Sequence, residues 1–264
     1  EKGRPLYLIA ESDLNDIRMV LPRFAGGHGM DAQWSDDFHH CLPTLLTAED
    51  QGYYSDFGSV EKLAKAFTKG FVYTWDYSGS RRRCHGSRIE HPVAPRKLVV
   101  CSQNHDQIGN RLNGDRLSTL VPLEGLKLAA AAVILSPFVP LIFMGEEYGE
   151  KAPFLYFMSF KDQDLIKAVR EGRAKEFAAF NWNQEAPDPY SQDTFARSKL
   201  TWGLGQVKST MLVDFYKQLI ALRKNMPVFA AVAPEPVEAE TVGRKLLVLT
   251  RHQGPAQVKM LLNF

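Results

Sequence analysis

Leu98-Val-Val-Cys101 runs straight into Ser102-Gln103-Asn104-His105-Asp106, and this stretch decides the fold. An uncharged aliphatic run of strand length reads as a buried strand. A polar cluster directly behind it reads as chemistry at the strand's carboxyl end, the rule for TIM barrels and open α/β sheets alike. The pattern recurs. Leu6-Tyr-Leu-Ile-Ala10 precedes Glu11-Ser12-Asp13, Leu141-Ile-Phe-Met144 precedes Gly145-Glu146-Glu147, and Asp31-Ala-Gln-Trp34 is a weaker strand before Ser35-Asp36-Asp37. Helices are predicted between them. Ser35-Asp36-Asp37, short acceptors suited to orphan N–H groups, open one running through Leu46. Ser59 to Lys69 puts Val60, Leu63, Ala64 and Phe67 on one face. Leu123 to Leu135 is rich in Ala and Leu, Asp162 to Phe177 is charged and exposed, and Met211 to Met226 gathers Phe215, Leu219, Leu222 and Met226. Residues 51–58, 81–95 and 181–209 read as irregular. Strands alternating with helices predict a parallel sheet covered by helices. No Gly-rich phosphate loop follows any strand, which favours a barrel.

A whole barrel needs eight strands in about 250 residues. Three firm strands and a weak one predict half of a barrel over residues 1–227. Beyond Pro227 the pattern changes to Leu246-Leu-Val-Leu-Thr250 and Val258-Lys-Met-Leu-Leu262 around a Gly254-Pro255 turn, with no helix between. Residues 228–264 therefore read as the opening of an all-β domain, left incomplete at Phe264. A strand that ends five residues from Pro5 likewise suggests sequence upstream of Glu1. Half a barrel leaves edge strands unpaired, which predicts self-association through those edges.

The chain has 264 residues, 45% hydrophobic and 23% charged, which is ordinary globular composition. Lys+Arg total 32 against Asp+Glu 30, a formal net charge of +2, so no field argues for nucleic acid or an anionic membrane. Cys41, Cys84 and Cys101 are too widely spaced for a disulfide framework or a zinc site and fit a reducing, cytoplasmic setting. Residues 1–10 are too short and polar for a signal peptide. Leu128 to Gly145 is uncharged, but Pro137 and Pro140 break it into a buried helix and a buried strand rather than a membrane span.

Four groups could do chemistry. Glu11, partly desolvated at a strand end, could hold its proton near neutral pH and act as a general acid, or be a surface carboxylate. Gln103, Asn104, His105 and Asp106, with Gln107 and Asn110, offer the donors and acceptors a polyhydroxylated ligand needs, or else cap the next segment. If the strands are neighbours, Glu11 and Asp106 face one crevice, and two carboxylates there suggest glycoside hydrolysis. Trp34, Asp36, Asp37, His39 and His40 suit stacking on a sugar ring; as a metal site, with His85, His91 and His105 as further candidates, they lack any ligand spacing. Glu146 and Glu147 either line a pocket or start a helix. Arg81-Arg-Arg83 reads as a solvated face.

The stretches Ile9-Ala-Glu-Ser-Asp-Leu-Asn-Asp16, Asp31-Ala-Gln-Trp-Ser-Asp-Asp-Phe-His-His40, Gln103-Asn-His-Asp-Gln-Ile-Gly-Asn110 and Phe143-Met-Gly-Glu-Glu-Tyr-Gly149 resemble the maltooligosyltrehalose trehalohydrolases, a branch of the α-amylase family of glycoside hydrolases. The likeness continues through Gly52-Tyr-Tyr-Ser-Asp-Phe-Gly58, Ala168-Val-Arg-Glu-Gly-Arg173 and Phe195-Ala-Arg-Ser-Lys-Leu-Thr-Trp202. Asn-His-Asp alone marks only the broad family; the Asp-Asp-Phe-His-His and Arg-Ser-Lys-Leu runs narrow it. The resemblance implies strands five to eight of a TIM (β/α)8 barrel. It implies hydrolysis, with retention, of the α-1,4 bond next to the terminal trehalose unit of a maltooligosaccharide-type substrate, without a cofactor. Glu11 matches the family's general acid/base and Asp106 its transition-state stabiliser. Asn104 and His105 match pocket neighbours, as Gln103 begins that motif, and Trp34, Asp36, Asp37, Phe38, His39 and His40 match the substrate-lining segment. The family's Asp nucleophile, within a Gly-x-Arg-x-Asp pattern, has no counterpart here, so the chain alone is expected to be inactive. A glycogen-branching or other α-glucan transferase, and a non-catalytic sugar-binding module, are the competing readings.

Overall fold

The computed structural model describes residues 3–88, 94–178, 187–202, 207–230 and 235–264. Parts of the stretches expected to be irregular (89–93, 181–186 and 203–206) lie outside them, and so does His91. The strands are β1 (Ile9–Ala10), β2 (Ala32–Trp34), β3 (Asp76–Ser78), β4 (Arg83–His85), β5 (Leu98–Val100), β6 (Val139–Pro140), β7 (Glu238–Val242), β8 (Leu246–Gln253) and β9 (Ala256–Asn263). The helices are α1 (Asp36–Thr47), α2 (Val60–Lys69), α3 (His105–Gly109), α4 (Leu117–Leu120), α5 (Leu123–Ile134), α6 (Gln163–Ala178), α7 (Gln192–Arg197), α8 (Val207–Asn225) and α9 (Pro227–Ala230). The chain is α/β, and it forms two compact units. The first takes the chain through Ser102, Lys127–Leu141 and Tyr216–Phe264; the second takes Gln103–Leu126 and Ile142–Phe215.

In the first unit β1, β2, β5 and β6 form a parallel sheet in that order, with Ile9 opposite Ala32, Gln33 opposite Leu98 and Val99 opposite Val139. Successive parallel neighbours require crossovers, and the helices supply two of the three. Between β1 and β2 the crossover is made of 3-10 turns at Ile17–Met19 and Arg23–Ala25. Asp36 and Asp37 open α1, where negative charge suits the exposed N–H groups. Ser35 does not cap it, because its hydroxyl donates to Gly70 O at 2.7 Å. Ser59 does cap α2, accepting from Lys62 N, and Gly70 ends it at φ 89. Phe38 packs edge-on to Phe67 and Phe138 at centroid distances of 5.0 and 6.0 Å, which fixes α1 and α2 in one core.

Several strands differ from expectation. Of Leu6 to Ala10, only Ile9 and Ala10 are strand, while Leu6 and Tyr7 are 84% and 74% exposed. The third run pairs at Val139–Pro140 instead of Leu141–Met144, because after Leu141 N donates to Val100 O the chain leaves the sheet. A uniformly apolar run carries no register, so its pairing could not be read from the residues. The β3–β4 hairpin, whose second strand falls in the 81–95 stretch expected to be irregular, pairs Asp76 with His85 and Ser78 with Arg83.

The antiparallel sheet β7–β8–β9 also belongs to the first unit. Leu247, Leu249, Met260 and Leu262 are buried while Leu261 points out, the alternation of a sheet wet on one side. Two arginines reach back to the end of α5. Arg223 donates to Ile134 O, Ser136 O and Phe138 O at 2.6–2.7 Å, and Arg251 donates to Leu135 O at 3.1 Å. Carbonyls with no partner inside the helix are thereby satisfied.

The second unit is helical. Ile108, Leu117, Leu155, Ile166 and Leu212 form its core. Glu150, 2% exposed, ties its turns together. Lys151 N, Ala152 N and Thr201 Oγ1 donate to Oε1 at 2.8–2.9 Å, and Thr201 N and Tyr148 OH donate to Oε2 at 2.6 and 3.1 Å. Among the described residues no helix is long and apolar enough to cross a membrane.

Candidate functional site

Glu11 is the first residue past β1, so the sheet itself presents it at a strand's carboxyl end. It is exposed, the surface position that the sequence left open beside partial desolvation. The loop it opens is held on three sides. Arg81 Nη2 lies 3.0 Å from Asp13 Oδ2, and the His85 ring Nε2 meets Asp13 O at 2.7 Å. Ser87 donates through N and Oγ to Asn15 O at 3.1 and 3.0 Å. Asn15 sits at φ 51, a left-handed conformation its short amide tolerates, and its Nδ2 donates to Asp37 Oδ2 at 2.7 Å.

Asp37 is the node of this region. Its Oδ2 also accepts from Val72 N at 2.7 Å and Tyr73 N at 2.9 Å. Burial is the larger influence and pushes its carboxyl up; the three hydrogen bonds pull the other way. Since Asp37 stands at the start of α1, directly after β2, these bonds bring the turn before β3 to the carboxyl end of the sheet. A second carboxylate fixes the hairpin: Asp56 accepts from Tyr73 OH at 2.5 Å, Ser78 Oγ at 2.7 Å and Ser80 Oγ at 2.9 Å. Burial opposes ionisation there, yet those bonds hold its pKa at about 2.

The residues expected to line the substrate divide into two kinds. Trp34 and Asp36 are half-buried beside the β2–α1 junction. Phe38 is fully buried in the aromatic core, and His39 is 2% exposed. Asp37 is turned inward by its three donors. His40 stacks on Phe57 at 5.0 Å, and burial lowers its pKa to about 4, leaving a neutral imidazole at pH 7.

In the second unit Asn104 caps α3, accepting from Asp106 N at 2.9 Å and Gln107 N at 3.1 Å. The capping reading of this cluster is therefore realised for Asn104, which is 1% exposed. Gln103 is also internal: its Nε2 donates to Glu146 Oε2 at 3.3 Å and its Oε1 accepts from Leu117 N at 3.1 Å. His105 is exposed and Asp106 half-buried, 3.5 Å apart from nitrogen to oxygen. Glu146 is buried, while Glu147 accepts from Gly145 N at 3.0 Å in the turn it opens. Of the expected site residues, Glu11 and His105 are exposed, and Trp34, Asp36 and Asp106 are half-buried.

Asn15 and Tyr73 escaped the sequence reading, and His85 entered it only as a candidate metal ligand, although all three hold the loop that carries Glu11 and the turn beside it. Their signal is not local, because these partners lie 17 or more residues away.

No family model matches the chain. It is 48% identical over 233 residues to a malto-oligosyltrehalose trehalohydrolase of Rhizobium sp., a match covering 87% of this chain and 39% of the relative. A malto-oligosyltrehalose trehalohydrolase of Saccharolobus solfataricus is 50% identical over 217 residues, covering 82% and 37%. Among solved structures, a putative α-amylase from Salmonella typhimurium aligns over 98% of this chain and 45% of its own, with TM-score 0.86 and 37% identity. The α-amylase from H. orenii shares the fold at TM-score 0.54 and 18% identity, over 98% of this chain and 44% of its own. The chain spans about two fifths of the length of the curated relatives it matches.

Proposed function

We propose, from the premise that this chain belongs to the malto-oligosyltrehalose trehalohydrolase family, that it is part of a retaining glycoside hydrolase that frees trehalose from maltooligosyltrehalose. In this reading β1, β2, β5 and β6 are strands five to eight of a (β/α)8 barrel, and a β domain begins near residue 228. Glu11 protonates the oxygen leaving from the α-1,4 bond next to the trehalose unit. It then takes a proton from the water that releases the glucan, as microscopic reversibility requires. Asp106 steadies the charge that develops on the sugar ring and grips its hydroxyls. The attacking carboxylate is an Asp these 264 residues do not carry, for no Gly-x-Arg-x-Asp pattern occurs in them. The chain alone is therefore inactive. The reading places the enzyme in the cytoplasm, and the exposed Leu6 and Tyr7 beside edge strand β1 support pairing with a second copy.

Identity above 40% over most of the chain carries this reading, and the placement of Glu11 directly behind a parallel strand supports it. The test has two arms. The 264-residue chain, given maltooligosyltrehalose, is expected to release no trehalose above blank. The chain extended at its amino end with the corresponding region of a relative is expected to release it, and Glu11→Gln to slow that release by about 10²–10⁴-fold. Trehalose from the unextended chain would overturn the division of labour. Glucan transfer without trehalose would favour a transferase.

A further inference from the structure

The first unit holds a cleft of about 630 Å³ between the loop after β1 and the β3–β4 hairpin. That volume is in the range of a small-ligand pocket. Trp75, Arg18, Arg83, Arg88, Asp16 and Ser87 are among its walls. Trp75 is 54% exposed and sits at φ 78, where a bulky side chain is strained. The surrounding structure imposes that conformation. Trp75 N donates to His85 O at 2.8 Å, and the amides of Val72 and Tyr73 just before it are fixed on Asp37. On the opposite side Gly86, at φ 78, lets the two backbones close, since a Cβ there would lie 2.0 Å from Tyr73 O. A large indole is thus held rigidly against solvent by a backbone that resists the arrangement, and such strain collects at ligand sites.

We propose that this cleft is an outlying subsite for the glucan chain, where a pyranose ring stacks on Trp75 and its hydroxyls pair with Arg83, Arg88 and Asp16. This inference rests on the trehalohydrolase reading above and extends it to residues outside the sequence motifs. The lining favours a polyol over an anion. Asp16 lies among the guanidinium groups, bound to Arg18, and its own charge is held by that pairing. A carboxylate in the wall repels a phosphate but accepts from a hydroxyl. The aromatic face serves the apolar C–H side of a sugar ring and has no use for a small anion. Position agrees. Leu14, which also lines the cleft, is three residues from Glu11 on the same loop, at most about 11 Å along an extended chain. One oligosaccharide can reach from Glu11 into the cleft.

The experiment is titration of the 264-residue chain with maltoheptaose, followed by calorimetry and tryptophan fluorescence. Trp75→Gly is the informative variant, because glycine relieves the backbone strain while removing the ring, so the fold is kept; near-native thermal unfolding verifies this. Trp75→Gly is expected to weaken maltoheptaose binding by about tenfold or more, and Arg88→Ala by less. Wild-type affinity in Trp75→Gly, or no maltoheptaose binding by the wild type, would overturn the subsite. So would a fluorescence response to potassium phosphate that maltoheptaose does not give. The catalytic reading stands or falls separately, on trehalose release by the extended chain and its dependence on Glu11.

Discussion

Asp37 in the first unit and Glu150 in the second are both buried carboxylates that tie turns to a sheet or helix end, yet their chemistry diverges. Asp37 gathers all three of its donors on one oxygen, and burial prevails, pushing its pKa up. Glu150 spreads five donors over both oxygens. Burial is again the largest single influence and opposes ionisation, but the hydrogen bonds together hold its pKa at about 2. The number and spread of donors decide the outcome, since each charge-directed N–H or O–H favours the ionised form. The first arrangement bolts down the loop beneath Glu11; the second only holds turns.

The comparison is broken most directly by Asp37→Ala. It strands three donors in the interior, and urea denaturation is expected to show a loss of about 3–5 kcal/mol. A loss below about 1 kcal/mol would mean that the turn at Val72 and Tyr73 stands without Asp37. Next comes acid. A carboxyl with a depressed folded pKa contributes stability that is present above its unfolded value of about 4.5 and is lost as pH falls through about 2. Glu150→Gln is therefore expected to remove about 3 kcal/mol of the wild type's acid-dependent loss in that window. Asp37 runs the other way: its raised pKa makes the folded state take up the proton more readily, so acid relieves the cost of its charge. Melting temperatures at pH 7, 4 and 2.5 for wild type and Glu150→Gln read the difference. Tyr73→Phe deletes one donor from Asp56 and is expected to cost about 1–2 kcal/mol. The smallest effect belongs to Gln33. It is fully buried in β2, and neither amide atom has a partner among the described residues. Gln33→Leu is expected to stabilise the chain by about 1 kcal/mol; destabilisation would reveal a partner for that amide.

Much of this was legible in the residues. The buried strand at Leu98, the helix capped by Ser59 and the hairpin around Gly254-Pro255 each follow from periodicity and turn chemistry over a few positions. Asp37 was singled out for substrate contact because it stands in an acidic cluster behind a strand; what it meets is an amide pair 35 and 36 residues away, which no local pattern records. The β3–β4 hairpin was missed because Asp76-Tyr-Ser78 and Arg83-Cys-His85 carry no apolar alternation. Its stability comes from Asp56, twenty residues earlier. Asn104 shows the opposite case: both the cap and the ligand cluster were readable, and the residues alone left the choice open until the amides of Asp106 and Gln107 were seen to meet its side chain.

Arg223 and Arg251 have a consequence for the order of events in the cell. The carbonyls closing α5 are satisfied by side chains as many as 116 residues further on, those of Ile134, Ser136 and Phe138 by Arg223 and that of Leu135 by Arg251, so on a ribosome that turn emerges open and is not fully closed until β8 has been made. Contacts this distant in sequence slow folding, and the first unit cannot complete itself while its nascent chain is still growing. Stalling translation just before residue 251 should therefore leave the end of α5 exposed to protease, and extending the chain through β9 should protect it.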